Sequence, residues 1–211
     1  MIKINEYFDK VFLITCYHTK DRLSHVVPYL NSRGIHPEIF FAPFKERFHY
    51  SYYNKQPIWP GAHSLSCAYE QLFQKCLYDK DVKTALFIED DIILADDWDV
   101  QLKNIWFEQD KDWYILKESN GTHFFAMSRE AIADFLNKYA ADTYPIDLAI
   151  NDLQDQKITN KLNIRNQPSL FTTQSTGGYN HITGKEFLDG EKIPSTVEIP
   201  KRLRQDLVFH A

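Results

Sequence analysis

Thr84 to Asp91 reads TALFIEDD, a short apolar run that passes without a break into Glu89, Asp90 and Asp91. Thr84 to Ile88 has the composition and length of a buried strand. Side chains alternate along a strand, so Glu89 and Asp91 fall on one side and Asp90 on the other. In open α/β sheets ligands bind beyond the carboxyl ends of the strands. Whether these acids stand at such an end depends on what surrounds the run.

Upstream, Lys10 to Tyr17 (KVFLITCY) reads as another buried strand. Leu23, Val26, Val27 and Leu30 then recur at helical spacing, and Arg33-Gly34 marks the stop. His36 to Ala42 (HPEIFFA) reads as a strand, completing a βαβ unit and predicting a parallel sheet. Pro43 to Pro60 has no period and reads as a long loop, and Gly61 to Leu77 resumes a helical pattern. Downstream, Leu94 to Phe107 is expected to be helical after a turn at Asp96-Asp97, and Asp112 to Lys117 and Thr122 to Met127 are expected as strands joined by Asn120-Gly121. Ser128 is the expected N-cap of a helix running to about Tyr139. Pro145-Ile146-Asp147 opens another helix, with Leu148, Ile150 and Leu153 as its apolar face. After Leu162 to Ile164 the periodicity weakens. The prediction is one α/β domain over 1–211, a mostly parallel sheet flanked by helices, with residues from about 185 irregular.

Composition narrows the function classes. The 211 residues suit one domain, which removes roughly 70% of the chain's surface from water. Hydrophobic residues at 44% and charged residues at 25% are those of a folded globular chain. The formal charge is -5, with no basic run, so no nucleic-acid partner is expected. No apolar stretch approaches the ~20 residues of a membrane span. Lys3, Asn5 and Glu6 precede any hydrophobic run, so no secretory leader is expected. Cys16, Cys67 and Cys76 form no C-x-x-C pair and read as reduced thiols of a cytoplasmic protein.

Three adjacent carboxylates repel one another unless a proton or cation compensates. A divalent metal with a diphosphate meets that need, and hard oxygen ligands suit Mg²⁺ or Mn²⁺. The same triplet reads equally as a solvated acidic turn closing a strand.

The ordered set of segments resembles a family 25 glycosyltransferase, the group that includes lipooligosaccharide (lipopolysaccharide-type) and collagen galactosyltransferases on the GT-A nucleotide-sugar fold. VFLITCYHTKDRLSHVVPYL is similar to the family's first strand, Arg-containing turn and helix, and ALFIEDDIIL to its strand ending in E-D-D. HFFAMSREAIADFL, YPIDLAI and NIRNQPSLFTTQS resemble its later elements, so that the likeness runs over about residues 10 to 176. The chain departs from the family on the helix before E-D-D. Ser66 precedes Cys67 where the family has Gly-Cys, and Glu70-Gln71 stand in place of Ser-His.

The resemblance implies a transferase that moves a sugar, galactose by the family's habit, from a UDP-sugar to a glycan hydroxyl with inversion. Its Mn²⁺ or Mg²⁺ would be held by Asp91, with Glu89 and Asp90 orienting the donor. Thr15 resembles a nucleotide-contacting position, and is also an ordinary β-branched strand residue. Arg22 suits a diphosphate or an acidic neighbour, and equally an exposed helix start. Asp147 is the candidate catalytic base, since inversion needs a carboxylate opposite the leaving group; an acid at a helix start is the other reading, and Asp152 the weaker substitute. His181 resembles a late-chain metal ligand or is an unremarkable surface histidine. Phe48, His49, Tyr50, Tyr52, Tyr53 and Trp59 suit an acceptor platform or an aromatic-anchored loop. Two other functions fit the dense acids, with Asp96, Asp97 and Asp99: a metal-dependent phosphohydrolase, disfavoured by the absence of any H-x-D or H-D pair, and a non-catalytic glycan-binding domain.

Overall fold

Burial along the first strand sorts the molecule into two faces. In β1 (Lys10–Cys16), Phe12, Ile14 and Cys16 join one core with α3 (Pro60–Tyr78), α5 (Arg129–Lys138) and α6 (Ile146–Gln156). Val11 and Leu13 join the other, with α1 (Ile4–Tyr7), α2 (Leu23–Ser32) and α4 (Trp98–Leu102). The computed structural model describes residues 4–44, 51–53, 56–58, 60–107, 112–119, 121–139, 145–156, 161–165, 172–174, 178–180 and 185–187.

Between these layers lies a six-stranded sheet in the order β2 (Glu38–Ala42), β1, β5 (Thr84–Glu89), β8 (Phe124–Ser128), β7 (Trp113–Lys117), β9 (Leu162–Arg165). β1 pairs parallel with β2 and β5, β7 pairs parallel with β9, and β8 is antiparallel to both its neighbours. Five strands therefore share one direction, and the predicted α/β architecture with a mostly parallel, helix-flanked sheet is the one the chain forms. The carboxyl ends of β1, β5 and β7 lie along one edge.

Local chemistry sets the joints. Gly34 takes φ 75 just after α2, and the Ile35 N–H bonds to the Leu30 carbonyl at 3.0 Å, closing the helix as only glycine does without strain. Ser128 Oγ accepts the Ala131 N–H at 3.3 Å as the predicted N-cap of α5. Arg129 donates to the carbonyls of Cys76, Leu77, Asp79 and Val82, so one guanidinium satisfies the end of α3 and fixes that helix against the sheet. Stacked and edge-on rings of Phe12, Tyr69, Phe73, Phe87 and Phe125 fill the space between α3 and the sheet, which is where much of the aromatic content goes.

The expected turn at Asp96-Asp97 and the helix after it to Phe107 are present, while Leu94, at the head of that stretch, belongs to a strand. Ile92–Leu94 forms β6, antiparallel to β10 (Thr172–Gln174), and α4 starts only at Trp98, passing into a π-turn over Lys103–Phe107. Trp98, Leu102 and Trp106, four apart, are the residues that turn inward. In α6, Leu148 is exposed, contrary to expectation. Ile146, Ala149, Ile150 and Leu153 make the buried stripe, the set that a 3.6-residue period places on one face. Two stretches without a helical period contain short strands instead: β3 (Ser51–Tyr53) pairs with β4 (Gln56–Ile58), and β11 (Gly178–Asn180) with β12 (Lys185–Phe187).

Candidate functional site

β2 lies on one side of β1 and β5 on the other, so the chain reverses its direction of progress across the sheet beside β1. A crevice outside the carboxyl ends of strands at such a reversal is where open α/β sheets bind ligands. Glu89 ends β5 at that point, with Asp90 and Asp91 next in the chain.

Glu89 and Asp90 turn to opposite sides, with β5 ending at Glu89 and Asp90 and Asp91 in the turn that follows. Asp90 turns to the α2 face, where β1 ends in Thr15 and Cys16 and the chain makes a 3-10 turn over Tyr17–Arg22. Its Oδ2 accepts the hydroxyls of Thr15 at 2.6 Å and Thr19 at 2.7 Å, and its Oδ1 pairs with Arg22 Nη1 at 2.9 Å. The Asp90 side chain is 9% exposed, and Thr15 and Thr19 are buried. Thr15 and Asp90, read as donor contacts, and Arg22, read as suiting a diphosphate or an acidic neighbour, thus form one knot. It ties the turn after β1 to the end of β5.

Glu89 turns to the α3 face. Its Oε1 accepts the Thr122 hydroxyl at 2.5 Å and lies 3.0 Å from the Tyr69 hydroxyl, which also reaches the Thr122 carbonyl at 2.9 Å. Burial, and after it the charge of Asp91, pushes the Glu89 carboxyl up to about 8, so it keeps its proton at neutral pH. Burial and Glu89 likewise push the Tyr69 phenol well above its ordinary range. Asp91 follows in the turn, with a buried Oδ1.

Further along the edge, β7 ends in Lys117, which is fully buried. Its Nζ donates to Asn151 Oδ1 at 2.7 Å and approaches the Asp147 carbonyl at 3.5 Å, both on α6. Burial pushes Lys117 down to about 7, opposed first by the negative charge of Asp147. Asp147 therefore stands in the first turn of α6, on the same face and edge as Glu89. His123, at the start of β8, is pushed down to about 4 by burial and then by Lys117, and Ser119 Oγ lies 3.3 Å from its ring.

His181, Phe48, His49, Tyr50 and Trp59 lie outside the described residues, and of Tyr52 and Tyr53 only the backbone is described. Asp152 accepts the Tyr139 hydroxyl and pairs with Lys138 on the outer side of α6, away from the acids. Sequence reasoning missed Thr19, Tyr69, Lys117, Thr122 and His123. Of these, Lys117 carried a signal, as the one cation at the end of an otherwise apolar strand. The helix that departs from the family pattern does reach the acids, through Tyr69. Cys16 and Cys76 are buried and Cys67 half-buried, all as free thiols.

Among the described residues no group of three or more His, Cys, Asp or Glu stands in metal-holding geometry. Asp91 is a carboxylate, the hard-oxygen donor type that Mg²⁺ takes, and lies near enough to Glu89 for its charge to raise that carboxyl. Among the described residues no helix is long and apolar enough to cross a membrane.

No protein-family model matches the chain, and no curated protein sequence does. A glycosyltransferase involved in glycosylation of the major capsid of PBCV-1 is similar over 66% of this chain and 73% of its own, with a TM-score of 0.38 and 9% identity. A197 from STIV is similar over 62% and 69%, with a TM-score of 0.34 and 16% identity. Likeness at these scores carries no argument about the chemistry of this site.

Proposed function

We propose that the protein is a metal-dependent glycosyltransferase of the family 25 type, moving a sugar from a nucleotide donor to a glycan hydroxyl. The supporting observation is the division of the E-D-D triplet at the sheet's topological reversal. Asp90 is braced by Thr15, Thr19 and Arg22, and Glu89 by Tyr69 and Thr122. The braced residues directly precede Asp91, which lies in the turn that follows β5.

In this reading Asp91 holds Mn²⁺ or Mg²⁺, which when bound neutralises the charge growing on the departing diphosphate. Asp90 and Arg22 act indirectly, by fixing the turn that forms one wall of the donor site. Asp147 accepts the proton of the acceptor hydroxyl as it attacks the anomeric carbon, and inversion follows if attack comes from the face opposite the diphosphate. UDP-galactose is the donor the resemblance favours.

Release of UDP from UDP-sugars, with and without Mn²⁺, tests the reading. Wild type should turn over one UDP-sugar in a Mn²⁺-dependent way, faster with a glycan acceptor present. Asp147→Asn should abolish the acceptor-dependent part while leaving donor binding intact. Hydrolysis that no acceptor accelerates would favour a phosphohydrolase, and metal-independent glycan binding without turnover would favour a binding domain.

A further inference from the structure

A lysine with no exposed surface is costly, and an apolar side chain of similar length usually serves packing better. Lys117 is such a lysine, lying between the sheet and α6 at the site's edge. Its two acceptors on α6, Asn151 Oδ1 and the Asp147 carbonyl, are neutral oxygens one helical turn apart. The titratable groups facing it are Asp147 and Asp155 from α6, Glu89 from β5, and Arg165 from β9, its register partner. His123, at the start of β8, faces it as a neutral ring. Arg165 in turn pairs with Asp155 at 2.8 Å and reaches the Asn151 carbonyl at 3.5 Å. Gln154 donates to Asn163 Oδ1 and the Ile164 carbonyl, both at 3.0 Å. Much of the contact of α6 with β7 and β9 is therefore made by directed polar bonds, which fix a helix along its axis more narrowly than apolar packing does.

We propose that Lys117 is a positioning residue: it clamps the first turn of α6 to the carboxyl end of β7 and so sets where the Asp147 carboxylate stands. The consequence for catalysis rests on the transferase reading above; the clamp on α6 does not. Lys117 itself touches neither donor nor acceptor in this scheme.

Hydrogen exchange and kinetics together test the clamp. In Lys117→Met, and in Asn151→Leu, the amides of Ala149, Ile150 and Asn151 should exchange at least tenfold faster than in wild type, with α5 unchanged. Asn151→Asp, which keeps an acceptor for the ammonium, should restore protection. UDP-sugar turnover in the two clamp variants should lose about tenfold in kcat with the donor KM within twofold. Unchanged exchange in α6, equal acceleration in α5 and α6, failure of Asn151→Asp to rescue, or local loosening with unaltered kcat would each overturn the proposal. If wild type turns over no UDP-sugar, the transferase reading fails while the exchange result still decides the clamp.

Discussion

Glu89 and Asp90 are adjacent in the chain and have opposite surroundings. Asp90 meets a guanidinium and two hydroxyls on the α2 face, whereas Glu89 meets two hydroxyls on the α3 face and is pushed up to about 8. The pleat of one strand end assigns these roles, since a residue's direction decides which helix supplies its partners. An acidic triplet is thus not three equivalent ligands. One acid joins two loops, one holds a proton, and Asp91 carries the charge that presses on Glu89.

The largest effect is expected at the acid assigned to the metal. Asp91→Ala should lower metal-dependent UDP-sugar turnover on the order of a thousandfold. Asp90→Ala should act on stability. It leaves Arg22 and two threonine hydroxyls facing a buried gap, so urea unfolding should show a loss of about 3 kcal/mol. Arg22→Ala added to it should cost less than the sum of the single changes, because both break the same pair. A loss below about 1 kcal/mol in Asp90→Ala would mean that the knot does not hold the turn.

Two buried groups on the α3/α6 face predict an unusual pH dependence in metal-free protein. Glu89 at about 8, against an ordinary 4.5, binds its proton more tightly folded than unfolded. Its contribution is full below about pH 4.5 and is lost as pH rises towards 8. Lys117 at about 7, against 10.5, contributes stability that is full above about pH 10.5 and is lost as pH falls towards 7. Together they give a minimum between about pH 7 and 8. Urea midpoints across pH should show it, with Glu89→Gln flattening the acid side and Lys117→Met the alkaline side. Smallest of all, Tyr69→Phe should cost about 1 kcal/mol, through the hydroxyl shared by Glu89 and the Thr122 carbonyl.

Much of the fold was legible because its signals are local. KVFLITCY and TALFIEDD match β1 and β5 closely, Gly34 stops α2, and Ser128 caps α5. What failed depended on tertiary pairing. The strand Ile92–Leu94 was not read, because its partner strand lies some eighty residues away at Thr172–Gln174. The site divides in the same way. The acids and the opposite directions of Glu89 and Asp90 were readable, since strand geometry fixes them. That Thr15, Thr19 and Arg22 converge on Asp90, or that Tyr69 and Thr122 enclose Glu89, follows from how α2 and α3 pack on the sheet, which no short window of sequence contains.

The most direct measurement is thermal unfolding with UDP, GDP, CDP or ADP, each with and without Mn²⁺, in wild type and Asp91→Ala. Ligand at a hundred times its dissociation constant stabilises a fold by about 2.7 kcal/mol, a shift on the order of 5 °C at this size. The expected result is a Mn²⁺-dependent shift for UDP in wild type that Asp91→Ala abolishes. A transition that no nucleoside diphosphate moves, or an equal shift in Asp91→Ala, would contradict a donor site built on the divided triplet.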